Sequence, residues 1–286
     1  MNLNDIAIAI ENMEYVYQPH DVKAVRGITF SIQKGEFVGI IGQNGAGKTT
    51  LLKNILGLLI PTSGRILVNG VDTRDVTVAE QATQVGFVLQ NPDQQLFAQT
   101  VVEEIAFGPR NMGLSEDEIH ERVEEAISLT KLDMFRDSFP PALPKGDRAK
   151  VVIASVLAMR PEILILDEPT TGQDYKGCHQ IMQIARGLHE KGRTILVVTH
   201  HMALVSEYTE RTIALCQGEI LLDDATDVVF SQPTILLQTQ VTPPQITQLA
   251  MALPRELELP TAALTVTQLG DPILQSARER ERLKKA

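Results

Sequence analysis

At 286 residues with 43% apolar side chains, the chain is long enough for one large domain or two and can bury a sizeable core. Its net charge of −10 argues against a nucleic-acid-binding face, which needs Lys and Arg in excess. Its two cysteines, Cys178 and Cys216, sit in no cluster of metal-ligand spacing and suit a reduced cytosolic compartment, while MNLNDIAIAIENMEY does not read as a signal peptide and the apolar runs fall short of the roughly 20 residues of a membrane span.

In chain order, Ile6 to Ile10, Ile28 to Ile32 and Phe37 to Ile41 are short β-branched or aromatic runs bounded by polar residues or glycine, the pattern of strands. After Gly47, KTTLLKNILGLL has the length of a helix and stops at Pro61. Arg65 to Val68 and Val85 to Leu89 read as further strands. From about Asn91 to Met159 the pattern turns helical. Ser115 and Glu118 form a capping box, and Ile119, Val123, Ala126 and Ile127 follow at helical spacing. Alternation then returns, with strands at Ile163–Leu166 and Thr194–Val198 around a helix from Tyr175 to Glu190. Such alternation implies a parallel sheet interrupted by a helical insertion. After about Ser231 the composition shifts. A short amphipathic helix follows Pro243 and Pro244, with Ile246, Leu249, Ala250 and Leu253 on one face, and Asp271-Pro272 would start a last helix ending in the charged RERERLKKA, expected as a solvated helix end.

Three segments carry chemistry. GQNGAGKT, Gly42 to Thr49, fits G-x-x-x-x-G-K-[ST] between a strand and a helix, as the motif requires. Its glycines let backbone N–H groups curl around phosphate oxygens, Lys48 would reach the β- and γ-phosphates, and the Thr49 hydroxyl would ligate Mg²⁺. ILILDEPT ends an apolar strand in two carboxylates: Asp167 suits the Mg²⁺ shell, and Glu168 is placed to activate water. VVTHH ends another strand, and His200, the first of the histidine pair, is the candidate that faces the ligand crevice. Two weaker signals accompany them. Gln90, at a strand end, would coordinate the metal shell or a water. Tyr17 reads equally as a ring stacking on a purine or as a core tyrosine.

The order Tyr17, GQNGAGKT, Gln90, LPKGD, ILILDEP, Asp174 and THH resembles the nucleotide-binding subunit of ABC transporters, over about residues 5–230. QNPDQQLF followed by TVVEEIAFGP, and the C-terminal PPQITQLA, narrow the resemblance to the ATPases of energy-coupling-factor transporters, importers of cobalt, nickel and vitamins. It implies an α/β fold: a P-loop ABC ATPase core with a parallel sheet, an N-terminal antiparallel β subdomain, a helical insertion and a small C-terminal helical module. Residues 1–230 would be the nucleotide-binding domain, with a helical subdomain at about 91–160, and 231–286 a dimerisation module. Carried over by position, Tyr17 stacks on adenine and Gly42, Gln43, Asn44, Gly45, Ala46, Gly47, Lys48, Thr49 and Thr50 hold the phosphates of ATP. Gln90 is the lever between nucleotide and membrane subunit. Asp167 serves Mg²⁺, Glu168 is the general base, Asp174 lies in the loop that crosses a dimer, and His200 senses the γ-phosphate. The implied partners are a second ATPase subunit, self or paralogue, a transmembrane coupling subunit, and a small membrane protein that binds the substrate. The implied location is the cytoplasmic face of the membrane, peripherally bound. Gln95, Leu96 and Phe97 are expected to contact the coupling subunit, with Asp93, Glu103 and Glu104 attracting its basic residues.

One departure stands out. The family's signature, L-S-G-G-Q, becomes Leu143, Pro144, Lys145, Gly146 and Asp147. Pro144 removes a hydroxyl and a backbone donor. A helix N-terminus survives, with Lys145, Arg148 and Lys150 adding positive charge. Two other readings accompany the importer ATPase: a soluble ABC ATPase not coupled to transport, and an ATP-binding regulatory partner.

Overall fold

The computed structural model describes residues 5–254, 257 and 259–285, with side chains through residue 276. The chain opens with long strands β1 (Ile6–Tyr17) and β2 (Val22–Gln33), then β3 (Phe37–Ile41), α1 (Lys48–Ile55), β4 (Ser63–Val68), β5 (Val71–Asp72), α2 (Val78–Gln84) and β6 (Val85–Val88). The helical insertion is α3 (Val101–Asn111), α4 (Glu116–Thr130) and α5 (Lys145–Ala158). Next come β7 (Ile163–Asp167), α6 (Tyr175–His189), β8 (Thr194–Val198), α7 (Met202–Tyr208), and a hairpin of β9 (Arg211–Cys216) and β10 (Glu219–Ala225). The C-terminal helices are α8 (Thr226–Phe230), α9 (Pro233–Leu236), α10 (Gln245–Ala252) and α11 (Val266–Lys285).

Two sheets carry the fold. An antiparallel sheet has the order β2-β1-β4-β5, and a second sheet has the order β10-β9-β3-β8-β7-β6. In the second, β9, β3, β8, β7 and β6 are parallel and β10 closes one edge antiparallel to β9. The parallel strands are apolar along their whole length because both faces are covered. Leu164, Leu166, Ile195 and Val197 point into a core shared with α3 to α6. Ile163, Ile165, Leu196 and Val198 point into the other, shared with α1 and the antiparallel sheet. Burying each such side chain stabilises by about 1.5–3 kcal/mol, so the sheet is the rigid base on which its C-terminal loops are hung.

Helix starts follow local sequence. Thr77, Thr100 and Ser115 each complete a reciprocal capping box with the Glu three residues on, at α2, α3 and α4. The same device corrects the expected start of the last helix. α11 begins at Val266, not Asp271, because Gln268 Oε1 accepts the Leu264 and Thr265 amides while Thr265 Oγ1 accepts the Gln268 amide. That cap holds α11 through Pro272, which lies inside it at the loss of one helical hydrogen bond. The side chains of RERERLKKA lie outside the described residues.

The expected boundary near Ser231 falls within a core. Val229 and Phe230 are fully buried with Ile41, Val205, Ala214, Leu236 and Val241, and Leu264 packs against them. Beyond that cluster, α10 and α11 share a small one of Ala250, Ala263 and Leu269. No described helix is long and apolar enough to cross a membrane.

Candidate active site

Strands β3, β8 and β7 are neighbours, and their C-terminal ends carry the three chemical segments onto one edge of the sheet. β3 runs into GQNGAGKT, β8 into Thr199-His200-His201, and β7 ends in Asp167 and Glu168.

The loop after β3 adopts backbone open only to glycine. Gly42, Gly45 and Gly47 have φ of 144°, 80° and 100°. A Cβ at Gly42 would run into the Leu215 carbonyl of β9, and one at Gly47 into the Ala24 carbonyl of β2. The antiparallel sheet and the β9–β10 turn therefore brace the loop, aided by hydrogen bonds from the Gly218 amide to the Ala46 carbonyl and from the Arg26 amide to the Gly218 carbonyl. The Gln43, Asn44, Gly45 and Thr49 positions are open to solvent or partly so, whereas Ala46 and Thr50 are buried. Lys48, at the start of α1, donates to the Gly42 and Gln43 carbonyls at 2.6 and 2.9 Å. Burial holds its pKa below the usual lysine value, opposed by the Glu168 and Asp167 carboxylates.

Across from Lys48, Asp167 is 6% exposed, and its pKa is pushed up to about 6 by burial and by Glu168, with Lys48 and Lys53 opposing. Glu168 is buried and takes φ 49°, a left-handed conformation rare for a side-chain-bearing residue. Its amide donates to the Val198 carbonyl of β8, which locks the turn. Its Oε2 lies 2.7 Å from His200 Nδ1, so the expected base and the expected sensor are in direct contact. His200 stays open to solvent. His201 packs edge-on against it and is held at a lower pKa by burial and by His200. Asp167 and Glu168, two buried acids crowded together, are an all-oxygen donor set, and this fits Mg²⁺.

Tyr17 ends β1 beside the same loop. Its hydroxyl lies 3.2 Å from Thr50 Oγ1, its ring meets Tyr15 edge-on at 4.8 Å, and it is 38% exposed. With that exposure, Tyr17 is not a core tyrosine. Gln90 is exposed at the end of the β6 strand region, and the loop beyond it departs from expectation. Gln95 does not face outward: its amide group bridges the Leu89 amide and the Phe87 carbonyl. Leu96 is core. Glu104 is buried and accepts the Phe97 and Ala98 amides, Glu103 caps α3, and Asp93 pairs with Arg148 at 2.7 Å. Glu104 is thus spent on holding the loop, while Asp93 and Glu103 remain exposed. Phe97 and Phe107 do remain exposed, edge-to-face at 4.6 Å, over a groove of about 410 Å³ that reaches Leu58, Val78 and Met159.

The LPKGD segment starts α5. Pro144 is the N-cap and offers no side-chain hydrogen bond. Leu143 is buried, and Asp147 and Lys150 pair with one another at 3.0 Å. Arg148 is taken by Asp93, so the charge expected from Arg148 and Lys150 is already neutralised. Lys145 is exposed and makes no ion pair among the described residues; its chain lies over Gly172, while Gln173 abuts Gly146. Asp174 accepts the Gly177 amide at 2.7 Å as the N-cap of α6. Residues the sequence reading passed over are Lys53, whose charge reaches Asp167, and the bracing residues Ala24, Leu215 and Gly218. Lys53, five residues past Lys48, is off its helical face, and the braces come from distant strands, so neither had a local signal.

A glycine-rich loop before a helix, facing a carboxylate pair on the adjacent edge of a parallel sheet with a helical insertion, defines a P-loop nucleotide-binding cassette. A model of the family "ABC transporter" matches residues 25–171, and the chain belongs to the ABC transporter family, in its ATP-binding cassette branch. It is 40% identical to the energy-coupling factor transporter ATP-binding protein EcfA2 of Caldanaerobacter subterraneus subsp. tengcongensis, over 95% of this chain and 98% of that one. It is likewise 40% identical to EcfA2 of Clostridium tetani, over 87% and 89%. A putative ABC transporter ATP-binding protein of C. subterraneus is 43% identical, but the chain spans only 43% of that relative's length. Among solved structures, cbiO1 of Clostridium perfringens, described as part of the ABC transporter complex cbiONQ, aligns with a TM-score of 0.75 and 34% identity over 88% of this chain and 97% of its own. A bacterial ABC transporter cassette solved as a dimer aligns at 0.70 and 30% identity over 77% of this chain and 98% of its own.

Proposed function

We propose that the chain is the ATP-binding and hydrolysing subunit of an energy-coupling-factor importer, bound peripherally at the cytoplasmic face of the cell membrane, with a metal ion, cobalt among the candidates, or a vitamin as cargo. The observation that carries the reading is the meeting of the phosphate loop, Asp167 and the Glu168–His200 pair on one sheet edge. In this reading, Gly42 to Thr50 cradle the phosphates with backbone N–H groups, Lys48 leaves its loop carbonyls for the β- and γ-phosphates, and Tyr17 stacks on adenine. Asp167 and Thr49 would hold Mg²⁺ with Gln90, and the ion supplies charge neutralisation on the phosphate oxygens. Glu168 takes the proton of the attacking water as the O–P bond forms in line and the bond to the ADP oxygen breaks. His200, on Glu168 Oε2, orients that carboxylate and meets the γ-phosphate. Asp174 and LPKGD face a second ATPase subunit.

The resemblance to named energy-coupling subunits and to a member of a cbiONQ complex supports partners of the same kind: a second cassette, a transmembrane coupling subunit and a substrate-binding membrane protein. The Phe97–Phe107 groove would receive the coupling subunit. The test is ATP turnover of the assembled complex with Glu168→Gln. Turnover close to that of the native complex would remove Glu168 from the role of base. The altered LPKGD supports one refinement: within a pair, this chain's own phosphate loop and carboxylates do the hydrolysis, while the partner's nucleotide meets a weakened signature.

A further inference from the structure

On the opposite side of the sheet from the nucleotide site, near the N-terminal ends of β7 and β8, a trough runs along α4 with α6 as its far wall. Its two lobes, of about 240 and 140 Å³, share Leu129, Leu188 and Lys191. The floor is apolar: Leu129 is 40% exposed, and Ile184 and Leu188 are only partly buried. The rim is basic in a chain of net charge −10. Lys150 and Arg160 are neutralised by Asp147 and by Glu121 and Glu125. Lys131, Lys191 and Arg193 make no ion pair among the described residues, and all three line the trough.

A second feature is independent of that charge. Gly187 lies in the last turn of α6 and lines the larger lobe. Its φ is not left-handed, and a Cβ there would meet nothing within 4 Å. Neither conformation nor a close approach calls for glycine, which costs about 0.5–1 kcal/mol relative to Ala in a helix. What the missing side chain leaves is the space of the lobe.

We propose that this trough is a binding site for a small anionic amphiphile, its apolar chain on Leu129, Ile184 and Leu188 and its acidic head between Lys131 and Lys191. Apolar burial supplies the affinity and the free cations choose the sign of the head group. The lobes are smaller than the roughly 300–1,000 Å³ of pockets for drug-sized ligands, which restricts the ligand to a single short chain. Such a ligand ties α4, in the helical insertion, to α6, in the sheet body. α6 carries Asp174 at its other end, and Lys150, which lines the larger lobe, pairs with Asp147 of LPKGD, so occupancy would set the spacing of the two segments offered to a second cassette. The site does not depend on the ATPase reading.

Titration calorimetry of the full chain tests it, with sodium decanoate below its micelle-forming concentration as probe and decyltrimethylammonium as the cationic control. Decanoate is expected to bind at one site and the cationic chain not to. Lys131→Glu with Lys191→Glu should weaken decanoate by at least about tenfold, and Gly187→Leu, which fills the lobe without altering charge, should abolish binding with the thermal midpoint kept. Should Gly187→Leu not fold, the charge-reversed rim decides alone. Equal binding of both probes, or affinity unmoved by the reversed rim, overturns the proposal. So does a failure of decanoate to bind while an acidic amphipathic peptide protects the α4 and α6 amides from exchange, which would make the occupant a protein.

Discussion

At Asp167, burial and function conflict. Its carboxyl is pushed up to about 6, against roughly 3.9 in an unfolded chain. The folded protein therefore holds more protons than the unfolded chain between about pH 4 and pH 6, and ligand-free stability falls as pH rises through that window. Asp167→Asn is expected to raise the unfolding free energy by about 1–3 kcal/mol at pH 7 and by nothing near pH 3.5. Denaturant unfolding across pH measures this, and the same variant should lose the stabilisation that Mg-ATP confers on the native chain. Glu168→Gln, with its neighbour His200 left in place, should keep ATP binding and lose roughly 10²–10⁴-fold in turnover. Lys145 is a finer case. Its ammonium is the one basic group at the start of α5 without an ion pair among the described residues. If it serves a phosphate of the opposing nucleotide, Lys145→Ala weakens ATP-driven dimerisation by about 1–3 kcal/mol; an effect within about 0.5 kcal/mol, as for an idle surface residue, rules that role out. Sedimentation with and without ATP distinguishes them.

Elements carry the next level of behaviour. α5 begins with a proline N-cap in place of a side-chain cap, so Pro144→Ser together with Lys145→Gly should both cap the helix and rebuild the usual signature. The cap contributes about 0.5–2 kcal/mol, seen as a higher thermal midpoint. Turnover should rise in the site built on the partner's phosphate loop, which is isolated by disabling this chain's Glu168. A gain confined to the site of this chain's own Lys48 would contradict the arrangement. At the other end of the chain, the α8–α9 region is welded to the body through Phe230, Leu236 and Val241. A truncation after Phe230 strips that cluster of its cover and is expected to destabilise the whole fold. Ending the chain at Thr242 keeps the buried members of the cluster, losing only Leu264 from its edge, and removes α10 and α11, whose shared core is small. That shorter protein should still bind ATP but associate more weakly, by light scattering, if the α10–α11 segment is a dimerisation module.

For the molecule as a whole, the two faces have different chemistry. The groove under Phe97 and Phe107 is largely apolar and adjoins the Gln90 segment, which is why it is the surface proposed for a membrane partner. Because Leu96 is core, a change there confuses folding with docking. Phe97→Asp with Phe107→Asp is the cleaner pair, since both rings are about half exposed. It should leave the thermal midpoint near native and abolish co-purification with the coupling subunit. Retained co-purification would exclude the groove as the docking surface.

Local patterns in the chain were sufficient for much of this. The phosphate loop, the Asp167-Glu168 strand end and the strand–helix alternation are set by residues within a few positions of one another: glycine for left-handed backbone, and β-branched runs for strands covered on both faces. The departure at Pro144 and Lys145 was equally legible, because it is a matter of residue identity at fixed spacing. What needed the tertiary structure were the relations between distant segments. Only folding puts His200 on Glu168, Tyr17 against Thr50, and Ala24 and Leu215 behind Gly47 and Gly42, since those pairs meet through neighbouring strands far apart in sequence. Partner choice among charges was hidden for the same reason. Arg148, Lys150 and Glu104 read as free surface charge, yet each is spent on a neighbour. Gln95 and Leu96 likewise turned inward, because a loop's buried amides and apolar groups are satisfied by whatever the packed core brings within reach.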